Sequence, residues 1–135
     1  MNDLFLVGRI IFGGFFVFNG INHFLNVGPM AEYAAAKGIP LPEVAVLLSG
    51  VLLVVGGLSV LFGFMPEIGL ACIALFLAVV SPLMHNFWDI SDPVQRLNEM
   101  GHFMKNMALF GGSLIMLAVP RPWPYSVEGR RRVAV

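Results

Sequence analysis

The sequence predicts an all-α fold: a four-transmembrane-helix bundle with both termini on the same, cytoplasmic side of the membrane. Hydrophobic residues make up 58% of the 135 residues and charged residues only 12%, whereas a soluble domain has about 25% charged residues. Four apolar segments come close to the length of about 20 residues that a helix needs to cross the hydrocarbon layer. Arginines at 121 and 130–132 follow the last segment, and positively charged residues favour the cytoplasmic side.

The first predicted span covers residues 4–25. It is too long for the apolar part of a secretory signal, contains Arg9 and has no small-residue cleavage site before Pro29, so we interpret it as a retained span. The stretch GPMAEYAAAKGIPLP follows. It predicts a short surface helix between Pro29 and Gly38, because proline favours the start of a helix and glycine its end.

The second and third predicted spans, residues 43–63 and 66–85, are separated only by Phe64 and Met65 and should form a tight hairpin. A polar stretch at 87–96 leads to the fourth span, residues 97–119, and residues 121–135 are predicted to form a basic cytoplasmic tail. Glycine pairs at 13–14, 56–57 and 111–112 predict close helix packing, because small residues let membrane helices approach each other. Trp88 and Trp123 are expected at opposite membrane interfaces.

Polar residues collect at one end of the predicted bundle. Because consecutive spans run in opposite directions, residues late in the first and third spans share the outer side with residues early in the fourth. A polar residue inside a membrane is costly unless it faces the bundle interior or a water-filled cavity, so we expect a polar cavity near the outer surface. The candidate ligand-binding residues are Asn19, His23, His85, Trp88, His102, Lys105 and Asn106, with Arg9 on the same face as His23 about four turns below it. The alternative is that these residues are simply hydrated at the headgroup level.

Two contacts are predicted from this arrangement. Arg9 and Glu67 lie at the inner ends of their spans with opposite charges, so they should approach each other. The third helix should end between residues 85 and 88, with His85 facing the bundle axis and meeting His102 or Lys105.

Several kinds of site are not indicated. The single cysteine, Cys72, cannot form an internal disulfide, and there is no CxxC motif for thiol exchange. The three histidines lie on different helices without metal-ligand spacing, so no metal site is predicted. No histidine–carboxylate pair lies near a serine in sequence to activate it as a nucleophile. No phosphate loop, dinucleotide fingerprint or haem-attachment motif is present, and the net charge of zero gives no indication of nucleic-acid binding.

Motifs along nearly the whole chain resemble the DoxX family of small four-helix membrane proteins. They are GRIIFGGFFVFNGINHF, GIPLP, the GG…FGF run, HNFWD and FMKNMALFGG. The family's polar motifs match Arg9, His85, Trp88, Asp89, Lys105 and Asn106. The resemblance implies a membrane location. Some relatives form the membrane part of a thiosulfate:quinone oxidoreductase, and others are linked to membrane redox complexes and oxidative stress.

The sequence departs from the family pattern at three positions. Leu53 stands where many relatives carry a glutamate in the second helix, His23 where many carry a lysine, and Glu67 where an arginine is common. Without the helix-two glutamate, the chain lacks the proton acceptor that such an acid would provide at that place.

Three functional hypotheses follow, all in the bacterial inner membrane. In the first, the cavity binds a quinone or similar lipid, with His85, His102 and Lys105 donating to its carbonyl groups and Arg9 neutralising buried charge. The chain has no cofactor of its own, so a protein partner would supply the redox centre. In the second, the chain is a non-enzymatic structural or accessory subunit of a larger membrane complex, or a homo-oligomer. In the third, it transports a small solute; no inverted repeat supports this in one chain, although a dimer could supply one.

Overall fold

The computed structural model describes residues 1–133, with side chains to Arg130, and the described chain is all-α. Its helices are α1 (Asn2–Leu25), α2 (Val27–Ala36), α3 (Pro42–Phe62), α4 (Pro66–Met84), α5 (Pro93–Leu117) and α6 (Val127–Val133), with a 3-10 turn at Phe87–Asp89. The surface helix predicted after Pro29 is therefore present as α2. Residues 134 and 135 of the predicted tail lie outside the described residues.

Three helical segments in residues 1–133 are long and apolar enough to cross a membrane. They are Asn2–Leu25, Pro42–Phe62 and Pro66–Asp89, the last comprising α4 and the following turn. The fourth predicted segment is also helical, and α5 has 25 residues. Its first half carries Arg96, Glu99 and Lys105, so its composition is less apolar than that of the other three.

Glycines set the close crossing of α1 and α3. A Cβ atom built on either Gly13 or Gly57 would lie 2.7 Å from the other residue's carbonyl oxygen, so neither position has room for a side chain. Gly56 makes a similar approach to α4, where a Cβ would lie 3.0 Å from the carbonyl oxygen of Gly69. The predicted glycine packing is confirmed at these positions. It is wrong at Gly14 and Gly111, where a Cβ would meet nothing within 4 Å.

The remaining long helices complete the bundle in the order α1, α3, α4, α5, with α2 lying against α3. The buried core is formed by side chains of α1, α3 and α4 together with one residue that follows α5, and it comprises Phe16, Leu53, Val60, Leu70, Ile73, Leu77 and Trp123. The α3–α4 hairpin is as tight as predicted. Gly63 ends α3 with a φ of 62°, in the left-handed region that suits glycine, and Pro66 begins α4.

Residues 119–130, called the C-terminal cap below, fold back over the end of the bundle where α1 begins. Arg9 is only 2% exposed, and its guanidinium donates to the carbonyl oxygens of Leu61, Pro124 and Tyr125 at 3.2, 2.9 and 3.3 Å. Trp123 is 3% exposed and packs edge-on against Phe5. Much of the predicted tail is therefore packed against the bundle.

Two predictions concern this end of the bundle. Glu67 forms an ion pair with Arg121, which also pairs with Glu128, while the bonds of Arg9 go to backbone carbonyls. Arg9 and Glu67 therefore form no hydrogen bond or ion pair with each other in the described part of the chain, and each contacts the C-terminal cap, while their predicted approach stays a prediction. Trp123 belongs to that cap, and its ring is buried against the bundle, so it does not face the membrane interface as predicted.

Candidate functional site

A cavity of about 690 Å³ lies among α1, α3, α4 and α5, with α2 across one side. Most of its lining is apolar, including Phe15, Leu52 and Phe76. Leu48 on α3 and Val79 on α4 line the cavity and are also exposed on the surface of the chain, so the cavity opens sideways between these helices. Its polar lining residues are Asn19, His23, Tyr33, Ser49, His85, Lys105 and Asn106.

The polar groups on the α1–α3 wall are bonded within that wall. Nδ1 of His23 lies 2.8 Å from the hydroxyl of Ser49 and 3.2 Å from the carbonyl oxygen of Val46. The amide of Asn19 donates to the carbonyl oxygen of Phe15 at 2.8 Å. The two contacts of Nδ1 hold the half-buried imidazole of His23 in place.

The α5 wall carries two donors with unused hydrogen-bonding capacity. Asn106 is 6% exposed, and within the described chain neither its side chain nor that of Lys105 makes a hydrogen bond or ion pair. The ammonium of Lys105 lies 5.9 Å from the centre of the Phe15 ring, a cation–π distance. Both side chains border the cavity, where they can donate to an acceptor on a bound molecule.

A hydrogen-bonded chain of three side chains closes the end of the cavity near α2. Nδ1 of His85 lies 2.6 Å from one carboxylate oxygen of Glu99, and the hydroxyl of Tyr33 donates to the other oxygen at 2.9 Å. The same hydroxyl lies 3.0 Å from the carbonyl oxygen of Met84. Desolvation and the bond to Glu99 raise the pKa of Tyr33 to about 12, so it remains a donor at neutral pH.

A second link joins α2 to the connection between α4 and α5. Lys37 donates to the side-chain oxygen of Asn86 at 2.6 Å, and the amide of Asn86 donates to Asp89 at 3.0 Å. The short helix α2 is therefore held across the cavity at two points, by Tyr33 and by Lys37.

Five of the predicted site residues line the cavity: Asn19, His23, His85, Lys105 and Asn106. His102 is exposed and does not line the cavity, but its ring stacks on that of His85 with centroids 5.1 Å apart, and the predicted contact between them is confirmed. Trp88 is 52% exposed and packs against Phe87 and Phe103. Trp88 is not among the residues that line the cavity. Arg9 does not line it either, because it lies at the opposite end of the bundle. The helix α4 ends at Met84, one residue earlier than predicted.

The sequence reasoning missed Glu99, Tyr33 and Ser49. Glu99 had a usable signal, because it precedes His102 by three positions and Asn106 by seven, the spacing of one helix face. Tyr33 and Ser49 had none, since their roles depend on how α2 and α3 pack.

Comparison with known proteins places these residues in a family. Residues 4–86 match the DoxX family model, which is more than half of the chain. The chain belongs to the DoxX family. The match ends just after α4, so Glu99, Lys105 and Asn106 on α5 lie beyond it.

Two curated relatives align along most of this DoxX protein. The inner membrane protein YphA of Escherichia coli (strain K12) is 26% identical over 128 residues, covering 94% of this chain and 89% of the relative. The inner membrane protein YqjF of the same organism is 32% identical over 126 residues, covering 91% and 88%. No solved structure matches the chain. The apolar helices and these relatives identify it as an integral protein of the inner membrane.

Proposed function

We propose that this DoxX protein is a membrane subunit that holds a quinone, or a lipid with similar carbonyl groups, in the cavity among α1, α3, α4 and α5. Its protein partner supplies the redox centre. The observation that carries the proposal is the apolar cavity of about 690 Å³ with two unpaired donors, Lys105 and Asn106, on one wall. Pockets for small organic ligands are commonly about 300–1,000 Å³ and mostly apolar, with a few polar groups that fix orientation.

The proposed ligand fits the lining by chemistry. A quinone ring has carbonyl acceptors, to which Lys105 and Asn106 can donate. Its apolar tail would leave the cavity sideways past Leu48 and Val79, which are both cavity-lining and surface-exposed. His85, adjacent to the same space, provides a third polar group toward the α2 end.

The test is to purify the protein in mild detergent and identify the extracted lipids by mass spectrometry, with bound proteins identified in parallel. We expect a quinone at a substantial fraction of one molecule per chain. Asn106→Ala should weaken binding about fivefold, the effect of losing about 1 kcal/mol from one hydrogen bond. Asn98→Ala on the exposed face of the same helix is the matched control and should retain the ligand. Copurified protein without any quinone would instead support the accessory-subunit hypothesis.

We also propose that α5 is the fourth span, with both termini in the cytoplasm. The support is the contact between the two ends of the chain: Arg9 bonds to Pro124 and Tyr125, and the hydroxyl of Tyr125 donates to Asp3 at 3.0 Å. Three crossings would leave the chain on the side opposite to its start, so α5 has to return to the side where α1 begins.

Topology is tested with single cysteines in a Cys72→Ala background. Val94→Cys and Arg130→Cys, both at exposed positions, should label from opposite faces of intact membranes, and Val94→Cys from the periplasmic face. Labelling of both positions from the same face would contradict the fourth span.

A further inference from the structure

We infer that Glu99 and His85 let the cavity discriminate between the reduced and oxidised forms of its ligand, in a manner that depends on pH. The inference rests on the proposed function and names the form of the ligand preferred by the same site. It begins from the carboxylate of Glu99, a residue of α5 outside the region matched to the family.

Both oxygens of this carboxylate are occupied. One accepts from Tyr33 at 2.9 Å and the other lies 2.6 Å from Nδ1 of His85. An ionised carboxylate can only accept hydrogen bonds, so Nδ1 must carry the hydrogen of the second bond. Glu99 therefore fixes the tautomer of His85, as a carboxylate does when it orients an imidazole.

The fixed tautomer determines what Nε2 of His85 can do. In the neutral imidazole with hydrogen on Nδ1, Nε2 has a free lone pair and accepts a hydrogen bond. In the protonated imidazolium, Nε2 also carries hydrogen and donates. No described residue forms a hydrogen bond with Nε2, and His85 borders the cavity, so a bound ligand is an available partner.

The two forms of a quinone ligand differ in the same property. A hydroquinone carries hydroxyl groups and can donate, whereas a quinone carries only carbonyl acceptors. Neutral His85 therefore favours the hydroquinone, because its Nε2 can accept only from a donor, whereas protonated His85 can donate to either form and so loses this preference. Lys105 and Asn106 do not discriminate in this way, because hydroxyl and carbonyl oxygens both accept from their donors.

The titration of His85 takes place among several other charged or titratable groups. Glu99, His102 and Lys105 face it from α5, and Tyr33 reaches the shared carboxylate from α2. Lys37 and Asp89 are connected through the adjacent Asn86. Of these groups, only Glu99 forms a hydrogen bond with the His85 ring, so we assign it as the positioning residue.

The experiment measures binding of decylubiquinone and its hydroquinone to the full-length protein in lipid nanodiscs, anaerobically, at pH 5.5 and pH 8. In the wild type, the ratio of hydroquinone to quinone affinity should rise about fivefold with pH, the size expected for exchanging one hydrogen bond. His85→Asn should give a ratio independent of pH. Glu99→Gln should lower the ratio at pH 8, because its amide can also donate to Nδ1 and leave the hydrogen on Nε2.

Two control variants separate this role from a general loss of structure. Glu32→Gln makes the same chemical change at an exposed position of α2 and should keep the wild-type pH profile. Tyr125→Phe removes a hydroxyl–carboxylate hydrogen bond, the one to Asp3, at the opposite end of the bundle, so it should also keep the profile. Either control flattening the profile as much as Glu99→Gln would overturn the inference.

The outcomes distinguish the inference from the function on which it rests. Binding of both forms to the wild type with a ratio that does not change with pH would overturn the inference and leave the proposed function standing. Failure of the wild type to bind either form would overturn both.

Discussion

Gly57→Ala should loosen the crossing of α1 and α3 on which one wall of the cavity depends. The added Cβ would lie 2.7 Å from the carbonyl oxygen of Gly13 and 2.8 Å from the backbone nitrogen of Val17. Ordinary contact for such an atom begins at 3.4 Å, so the two backbones must separate by about 0.7 Å. Both neighbours are backbone atoms, which cannot rotate away as a flexible side chain can. Overpacking of this kind costs about 1–3 kcal/mol.

Gly111→Ala is the matched control, because a Cβ at this position on α5 meets nothing within 4 Å. Both substitutions gain up to about 1 kcal/mol of intrinsic helix propensity, so the difference between the two variants isolates the packing cost. Equilibrium unfolding in mixed micelles, followed by circular dichroism, should show Gly57→Ala less stable than Gly111→Ala by about 1–3 kcal/mol. Stabilities that agree within about 0.5 kcal/mol would refute the close crossing.

Three further predictions concern the two ends of the bundle. Arg9→Met removes three hydrogen bonds to carbonyl oxygens, each worth about 1.5–3 kcal/mol because the donor is charged. It should therefore raise the rate of chymotrypsin cleavage after Trp123 or Tyr125 more than about tenfold, and an unchanged rate would argue that Arg9 does not hold the C-terminal cap in place. Tyr33→Phe should speed amide hydrogen exchange in α2 about fivefold, whereas Tyr125→Phe at the opposite end should not, and equal effects would exclude a specific role for Tyr33. The pKa of Tyr33 rises from 10.0 to about 12 on folding, so its contribution to the stability of α2 is present below pH 10 and is lost as pH rises toward 12. If the protection of α2 amides against hydrogen exchange, corrected for the intrinsic exchange rate, were already lost at pH 8, that assignment would be contradicted.

The all-α fold, α2 and the hairpin were predictable because they depend on local signals. Long apolar runs, Pro29, Gly63 and Pro66 mark the starts and ends of helices in the sequence itself. The convergence of His85 and His102 was also predictable, since it requires only that neighbouring membrane helices alternate in direction.

The C-terminal cap and the partners of Arg9 were not predictable in this way. Arg9 bonds to backbone carbonyl oxygens, which every residue possesses and which therefore leave no pattern in the sequence. Glu67 pairs with Arg121, which the C-terminal cap places beside it. In the candidate site, the sequence pattern pointed to the lack of a carboxylate, because Leu53 stands where many relatives carry a glutamate. The structure instead places a carboxylate of another helix, that of Glu99 on α5, beside His85.

Photolabelling tests the central claim, that the cavity is a quinone site, most directly. A photoreactive benzoquinone would be irradiated with the protein in nanodiscs, and the adducts would be mapped by peptide mass spectrometry. The account predicts adducts on cavity-lining residues such as Phe15, Leu52 and Phe76, suppressed by excess unlabelled quinone. Adducts confined to outward-facing side chains such as Ile11, Leu58 and Ile115, with no effect of competitor, would contradict it.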